Sequence, residues 1–208
     1  MAELNEPIVR QSASTGPNSP DVWGIYEPDT GSIQYICADP ATKKAALIDV
    51  VLNFDPARFA TDTRSMEQVL GLVEKHGLTV EWVLDTHPHA DHMMASSHLK
   101  KRPGAANAIG EKVRDIAELW RDYYNTPDAF DPHRDFDRLF ADGDTFRIGD
   151  LDVRVMLSPG HTLGSITYVC GDAAFVHDTL MQPDSGTSRA LNGGFDAPSP
   201  LKRTASPA

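Results

Sequence analysis

The order of apolar and polar positions along the chain predicts a mixed α/β protein. Two apolar runs, "SIQYICAD" (32–39) and "KAALIDVV" (44–51), predict strands joined by the turn "DPAT". "DPARFATDT" predicts a loop. Ser65 followed by Glu67 and Gln68 has the form of a capping box. Met66, Val69, Leu70 and Val73 then recur at helical spacing, and His76-Gly77 supplies a stop. "TVEWVLDT" (79–86) predicts a buried strand. Strand, helix and strand in this order favour an α/β layered fold. A second helix is expected over 111–124, with Val113, Ile116, Ala117 and Trp120 on one face. "DPHRDFDRLF" predicts an acidic and aromatic loop. "DTFRIGDLDVRVMLS" predicts two strands turning at Gly149-Asp150, and "HTLGSITYVCGDAAFVHDTLM" two more turning at Gly171-Asp172. Residues 1–20 are polar and predict a flexible arm, 21–190 a single domain, and the Pro- and Ser-rich 191–208 a disordered tail.

Composition narrows the partners. The 208 residues carry a net charge of −11, and the pI is about 5.0 with a mean hydropathy of −0.35. Nucleic acid and anionic membrane would both be repelled. No apolar run approaches the length of a membrane span, and "MAELNEPIVRQ" has no apolar core of a signal peptide. A cytoplasmic protein is expected. The two cysteines, Cys37 and Cys170, suggest no disulfide framework and are expected as buried, inert thiols.

The chemistry lies in "DTHPHADH" (85–92), which holds three of the chain's eight histidines. Pro88 disfavours a helix there, and the His87/His89 spacing is wrong for a helical i, i+4 metal pair. In an extended loop leaving a strand, His87 and His89 can converge on one point, and Asp91 and His92 on a second. Imidazole and carboxylate suit zinc, iron or manganese. A polar surface loop with chance histidines is the bland alternative; a lone histidine would favour it, but this cluster directly after a buried strand does not.

"THPHADH" (86–92) resembles the signature of the metallo-β-lactamase superfamily. "SPGHTLGS" (158–165) resembles its later histidine loop, and "FVHDTLM" (175–181) the strand end that supplies a metal-binding aspartate. The resemblance implies an αββα sandwich with metal at one edge between the sheets. Within that superfamily the chain most resembles the persulfide dioxygenase and β-lactamase hydrolase-like group, through residues 29–56, 76–92 and 178–190. That likeness implies one ferrous iron per chain, held by His87, His161 and Asp178. His89, Asp91 and His92 then support those ligands or hold a second metal. The implied reaction oxidises glutathione persulfide, with O₂ and water, to glutathione and sulfite. Asp184, Gly186, Thr187 and Arg189 match the loop after the aspartate; Arg189 is expected either to contact an anionic substrate or to form an internal salt bridge. A metal-dependent hydrolase of the glyoxalase II or lactonase type, using zinc through His87, His89 and His161, Asp91 and His92, with Asp178 bridging, is the alternative. An inactive remnant of the fold is a third.

Other residues carry plainer expectations. His76 reads as a helix-terminal residue, His98 and His133 as surface histidines, and Trp82 and Trp120 as core. His177 stands where the resembled family commonly has glycine, and is expected to point away from Asp178. The likeness stops after Ala190, so the second half of the sandwich is expected to be incomplete. Uncovered apolar sheet faces and association into homo-oligomers are expected from that.

Overall fold

The computed structural model of the chain describes residues 8–89, 91–102, 104–181 and 185–187. Four antiparallel strands come first: β1 (Ile8–Ser12), β2 (Asp21–Tyr26), β3 (Ile33–Ala38) and β4 (Lys44–Ile48). β5 (Val51–Asp55) and β6 (Ala60–Asp62) form a hairpin before helix α1 (Arg64–Lys75). β7 (Thr79–Leu84), β8 (Met93–Met94), helix α2 (Ser96–Lys101) and β9 (Ala106–Gly110) follow. Helix α3 (Val113–Tyr124), the single turn α4 (Pro132–Asp135) and β10 (Arg138–Phe140) lead into a meander. Its strands are β11 (Thr145–Ile148), β12 (Leu151–Leu157), β13 (Ile166–Cys170) and β14 (Ala173–Phe175). A 3₁₀ turn, His177–Thr179, comes after β14.

The large sheet has the order β1-β2-β3-β4-β7-β9-β10, the meander forms a second sheet, and β6-β5-β8 make a small third one. β4, β7, β9 and β10 are parallel, so their carboxyl ends share one edge. One face of the large sheet buries Ile25, Ile36, Leu47 and Val83 against Met66 and Val69 of α1 and Leu99 of α2. The other buries Ile48, Leu84, Ala108 and Phe140 against Phe146, Val153, Val155 and Tyr168 of the second sheet. Burying one such side chain is worth about 1.5–3 kcal/mol, which is why both faces are covered. The layers are therefore helix, sheet, sheet.

The strict alternation of β12 sends Val153 and Val155 inward and Asp152, Arg154 and Met156 outward. With Thr145 and Arg147 of β11, the outer face of the second sheet is exposed but mainly polar. On that face the expectation of uncovered apolar strands is not met, because period-two patterning makes it compatible with water. On the large sheet Ile8, Tyr26 and Ile33 are exposed beside a groove also lined by Val22 and Tyr35.

Other expectations meet mixed outcomes. Residues 1–20 are not all a loose arm. Ile8–Ser12 pairs along its whole length with β2, and Thr15 Oγ1 donates to Asp172 Oδ2 at 2.8 Å. The run 44–51 is not one strand. Asp49, at φ +52°, turns the chain out of the large sheet and starts β5 in another. The capping box does not form, because Ser65 lies inside α1, buried, with its N–H donating to Asn53 Oδ1 of β5 at 2.9 Å. A neighbouring strand thus does the capping. Gly77, at φ +65°, does end the helix, and both two-residue hairpins fall where expected. The two loops gain short elements, β6 in one, α4 and β10 in the other. Cys37 and Cys170 are buried and unbridged. Trp82 packs on Phe140 and Phe146 as expected, but Trp120 stacks on Tyr124 beside a cavity. No helix among the described residues is long and apolar enough to cross a membrane. The expected tail, 191–208, and Arg189 and Asp184 lie outside the described residues.

Candidate metal centre

Four segments meet at the carboxyl edge of the parallel strands: Asp49 after β4, residues 85–92 after β7, the loop between β12 and β13, and the turn after β14. Backbone bonds hold the histidine loop across both sheets. Asp85 N–H donates to Ala108 O at 3.0 Å, and Ile166 N–H of the second sheet donates to Thr86 O at 3.0 Å. Tyr168, fully buried, donates its hydroxyl to Asp85 O at 3.0 Å. Ligands at the strand ends of an open parallel sheet are the usual arrangement in α/β folds.

Asp178 stands at the centre. Its Oδ2 is 3.6 Å from His87 Nε2 and 3.3 Å from His161 Nε2. The His87 and His161 rings are 4.7 Å apart at 79°. The structure thus brings His87, His161 and Asp178 together. Each is oriented from behind. Thr86 Oγ1 lies 3.0 Å from His87 Nδ1. Thr187 Oγ1 lies 2.6 Å from His161 Nδ1 and donates to Asp178 O at 2.6 Å. His89 packs 3.9 Å from His87, ring to ring, and its Nε2 is 3.4 Å from Asp49 Oδ1. His89, exposed Asp91 and His92 have ligand atoms close enough for a group of their own, and His87, His89, His177 and Asp178 make another.

His177 corrects an expectation. It points inward, with its side chain 8% exposed, Nδ1 3.0 Å from Asp178 Oδ1 and Nε2 3.9 Å from Asp49 Oδ2. The backbone at φ +39° aims it there, a conformation that favours glycine. Short as it is, the Nδ1–Asp178 approach is a charge contact without hydrogen-bond alignment, since both ring nitrogens lack an aligned partner.

Asp49 and Thr86 went unnoticed in the sequence. Asp49 Oδ1 accepts from Thr86 N–H at 2.8 Å, and Oδ2 from Thr86 Oγ1 at 2.9 Å. The available signal was an aspartate ending the apolar run "AALID", where a charge is costly unless paired.

Electrostatics follows from this packing. Burial would raise the Asp49 carboxyl, but His177, His89 and His87 hold it well below the usual range. Asp178 behaves likewise: burial opposes its charge, and His177 and His87 more than compensate. Burial pushes His89 down to about 3 despite Asp49, and lowers His92 as well. Burial also opposes charge on His177, but Asp49 and Asp178 raise it overall. Neutral His89 and His92 beside ionised Asp49 and Asp178 are the protonation states a metal requires, and His177 would have to release its proton to bind one. His87 Nε2, His89 Nδ1 and both nitrogens of His92 are buried without an aligned hydrogen-bond partner. Such atoms are costly unless satisfied, and a divalent ion would take the lone pair of one nitrogen of each ring. The donor set fits iron, zinc or manganese.

A cavity of about 730 Å³ opens beside the centre. His87, His89 and His92 form one wall, and Ile109, Ile116, Trp120, Phe130 and Phe136 supply apolar surface. Asp85 also borders it, raised to about 7 by burial and by Asp49, with Ser96 Oγ 2.6 Å from each carboxylate oxygen. His98 and His133 are exposed, away from the centre, and His76 packs on Trp23 with ring centroids 4.7 Å apart.

A model of the metallo-beta-lactamase superfamily matches residues 31–204. The chain is 55% identical over 183 residues to a beta-lactamase hydrolase-like protein of Xylella fastidiosa, covering 88% of this chain and 42% of that protein. It is 29% identical over 160 residues to the mitochondrial persulfide dioxygenase ETHE1 of Homo sapiens, covering 76% of this chain and 51% of that one. Among solved structures it is similar to the crystal structure of ETHE1 from Myxococcus xanthus. The TM-score is 0.57 at 27% identity, over 88% of this chain and 64% of that one. The chain spans less than half the length of the beta-lactamase hydrolase-like protein it matches.

Proposed function

Because the chain belongs to the metallo-beta-lactamase superfamily, we propose that its histidine–aspartate centre holds one ferrous iron and oxidises glutathione persulfide to glutathione and sulfite. The observation that carries the reading is the approach of His87 and His161 to one oxygen of Asp178. Two histidines and one carboxylate leave positions open for O₂ and a sulfur ligand, and a ferrous ion in such a site supplies the redox chemistry. Likeness to a persulfide dioxygenase supports that choice over other oxidations.

The chain's own residues have definite parts. His87, His161 and Asp178 hold the ion. Thr86 and Thr187 fix the two imidazoles by bonding their Nδ1 atoms, which aims Nε2 inward. Asp49 holds Thr86 and His89 together under the site. The apolar wall of the cavity offers surface that would hold the substrate close to the centre, replacing a bimolecular encounter. The balance is one persulfide, one O₂ and one water consumed for one thiol and one sulfurous acid.

A second reading has its own observation. His89, Asp91 and His92 are close enough to hold another metal, which suits hydrolysis of a thioester or lactone by a two-metal centre. Anaerobically purified protein loaded with iron is tested for O₂ uptake and sulfite release with glutathione persulfide. Uptake matched by sulfite is expected. Faster hydrolysis of a glutathione thioester by the same preparation transfers the protein to the second reading.

A further inference from the structure

His177 is the histidine whose place in the centre the proposed reaction does not use. Its imidazole is almost fully buried among His87, His89, Asp49 and Asp178, with neither ring nitrogen in an aligned hydrogen bond. One ligand atom each from His87, His89, His177 and Asp178 lie within 4.8 Å of one another. The backbone at His177 is left-handed, at φ +39°, where the resembled family commonly has glycine, and it aims the ring into the centre. An aliphatic side chain would fill this space without burying two polar atoms.

We propose that His177 is a further ligand of the metal, binding through its imidazole alongside Asp178. This rests on the proposed metal centre. It implies that one of the positions otherwise open to substrate or O₂ is taken by the protein, so ligand exchange is more restricted than in a centre of His87, His161 and Asp178 alone. Adjacent His177 and Asp178 would then hold the ion from one turn, together with His87 from the loop after β7.

Co²⁺ is the probe, read by its visible absorption and by competition with a chelator. The proteins are wild type, His177→Gly, His177→Gln and His161→Ala. Glycine suits the backbone conformation and leaves a hole. Glutamine keeps an N–H that can hold Asp178 but removes the imidazole. In both His177 variants the cobalt spectrum is expected to change and affinity to fall at least about ten-fold. Added imidazole is expected to restore the wild-type spectrum in His177→Gly. Melting of the metal-free proteins checks folding, and His177→Gln carries the test if the glycine variant does not fold. A wild-type spectrum and affinity in His177→Gln, with binding lost in His161→Ala, overturns the proposal and leaves the metal centre standing. Failure of the wild-type protein to bind Co²⁺ overturns both.

Discussion

Thr187 shows how much of the centre depends on residues that never touch a metal. Its hydroxyl lies against His161 Nδ1 and also donates to the backbone carbonyl of Asp178, joining two proposed ligands from different segments. Thr187→Val keeps the shape and removes both bonds. It is expected to weaken metal binding by about 10–100-fold, the usual cost of losing an orienting partner, as measured by chelator competition. His161→Ala is expected to remove the bound metal, whereas His133→Ala, on the exposed turn α4, leaves it unchanged; metal analysis of the two purified variants separates them. At this scale the local spacing of residues 85–92 made the candidates visible, since several metal-binding side chains fall within one loop. Asp49, Thr86 and the inward His177 were not visible in that way. Their partners are distant in sequence, or, for His177, a single positive φ decides which way the ring points.

The elements owe their placement to a few polar junctions as well as to the two cores. The turn between β3 and β4 is fixed to the β11–β12 hairpin by Asp39. Its Oδ2 accepts from Asp150 N–H at 2.8 Å and Thr42 Oγ1 at 2.7 Å, and its Oδ1 accepts from Ala41 N–H at 2.9 Å. Burial opposes charge on Asp39, but these donors lower its pKa overall. A depressed carboxylate adds stability above the unfolded-state value of about 4, and that stability is lost as pH falls through the folded value. Asp39→Asn is therefore expected to lower neutral-pH stability by about 1–3 kcal/mol and to flatten the acid limb of a stability profile measured by urea unfolding from pH 7 to pH 3. Gly149 lies in the same junction at φ +56°, and a Cβ there would overlap Thr42 Oγ1 and sit 2.6 Å from Asp39 Oδ2. Gly149→Ala is expected to cost more than about 1 kcal/mol by the same measurement.

For the whole molecule, metal and fold are expected to be linked, because the centre draws on four segments separated in the chain. An ion that binds only the native state at one hundred times its dissociation constant adds about 2.7 kcal/mol. For a chain of this size that corresponds to a rise in Tm of about 5–11 °C. Thermal melts with Fe²⁺ or Zn²⁺, and again after excess chelator, check this; equal melting temperatures would mean that the four segments are held without the ion.

The sequence by itself determined the class of elements and the candidate chemistry. Period-two alternation in residues 151–157, turn residues at Gly149-Asp150 and Gly171-Asp172, and the helical spacing of residues 66–73 and 113–120 are local physics, and they appear in the structure much as they read. Tertiary structure alone decided that residues 44–51 break at Asp49 and that Asn53 rather than Ser65 caps α1. It also decided that Ile8–Ser12 becomes an edge strand and that His177 turns into the centre. In each case the deciding partner lies on another segment: a ladder of backbone bonds, a buried amide, or a carboxylate that only the assembled sheets bring within reach.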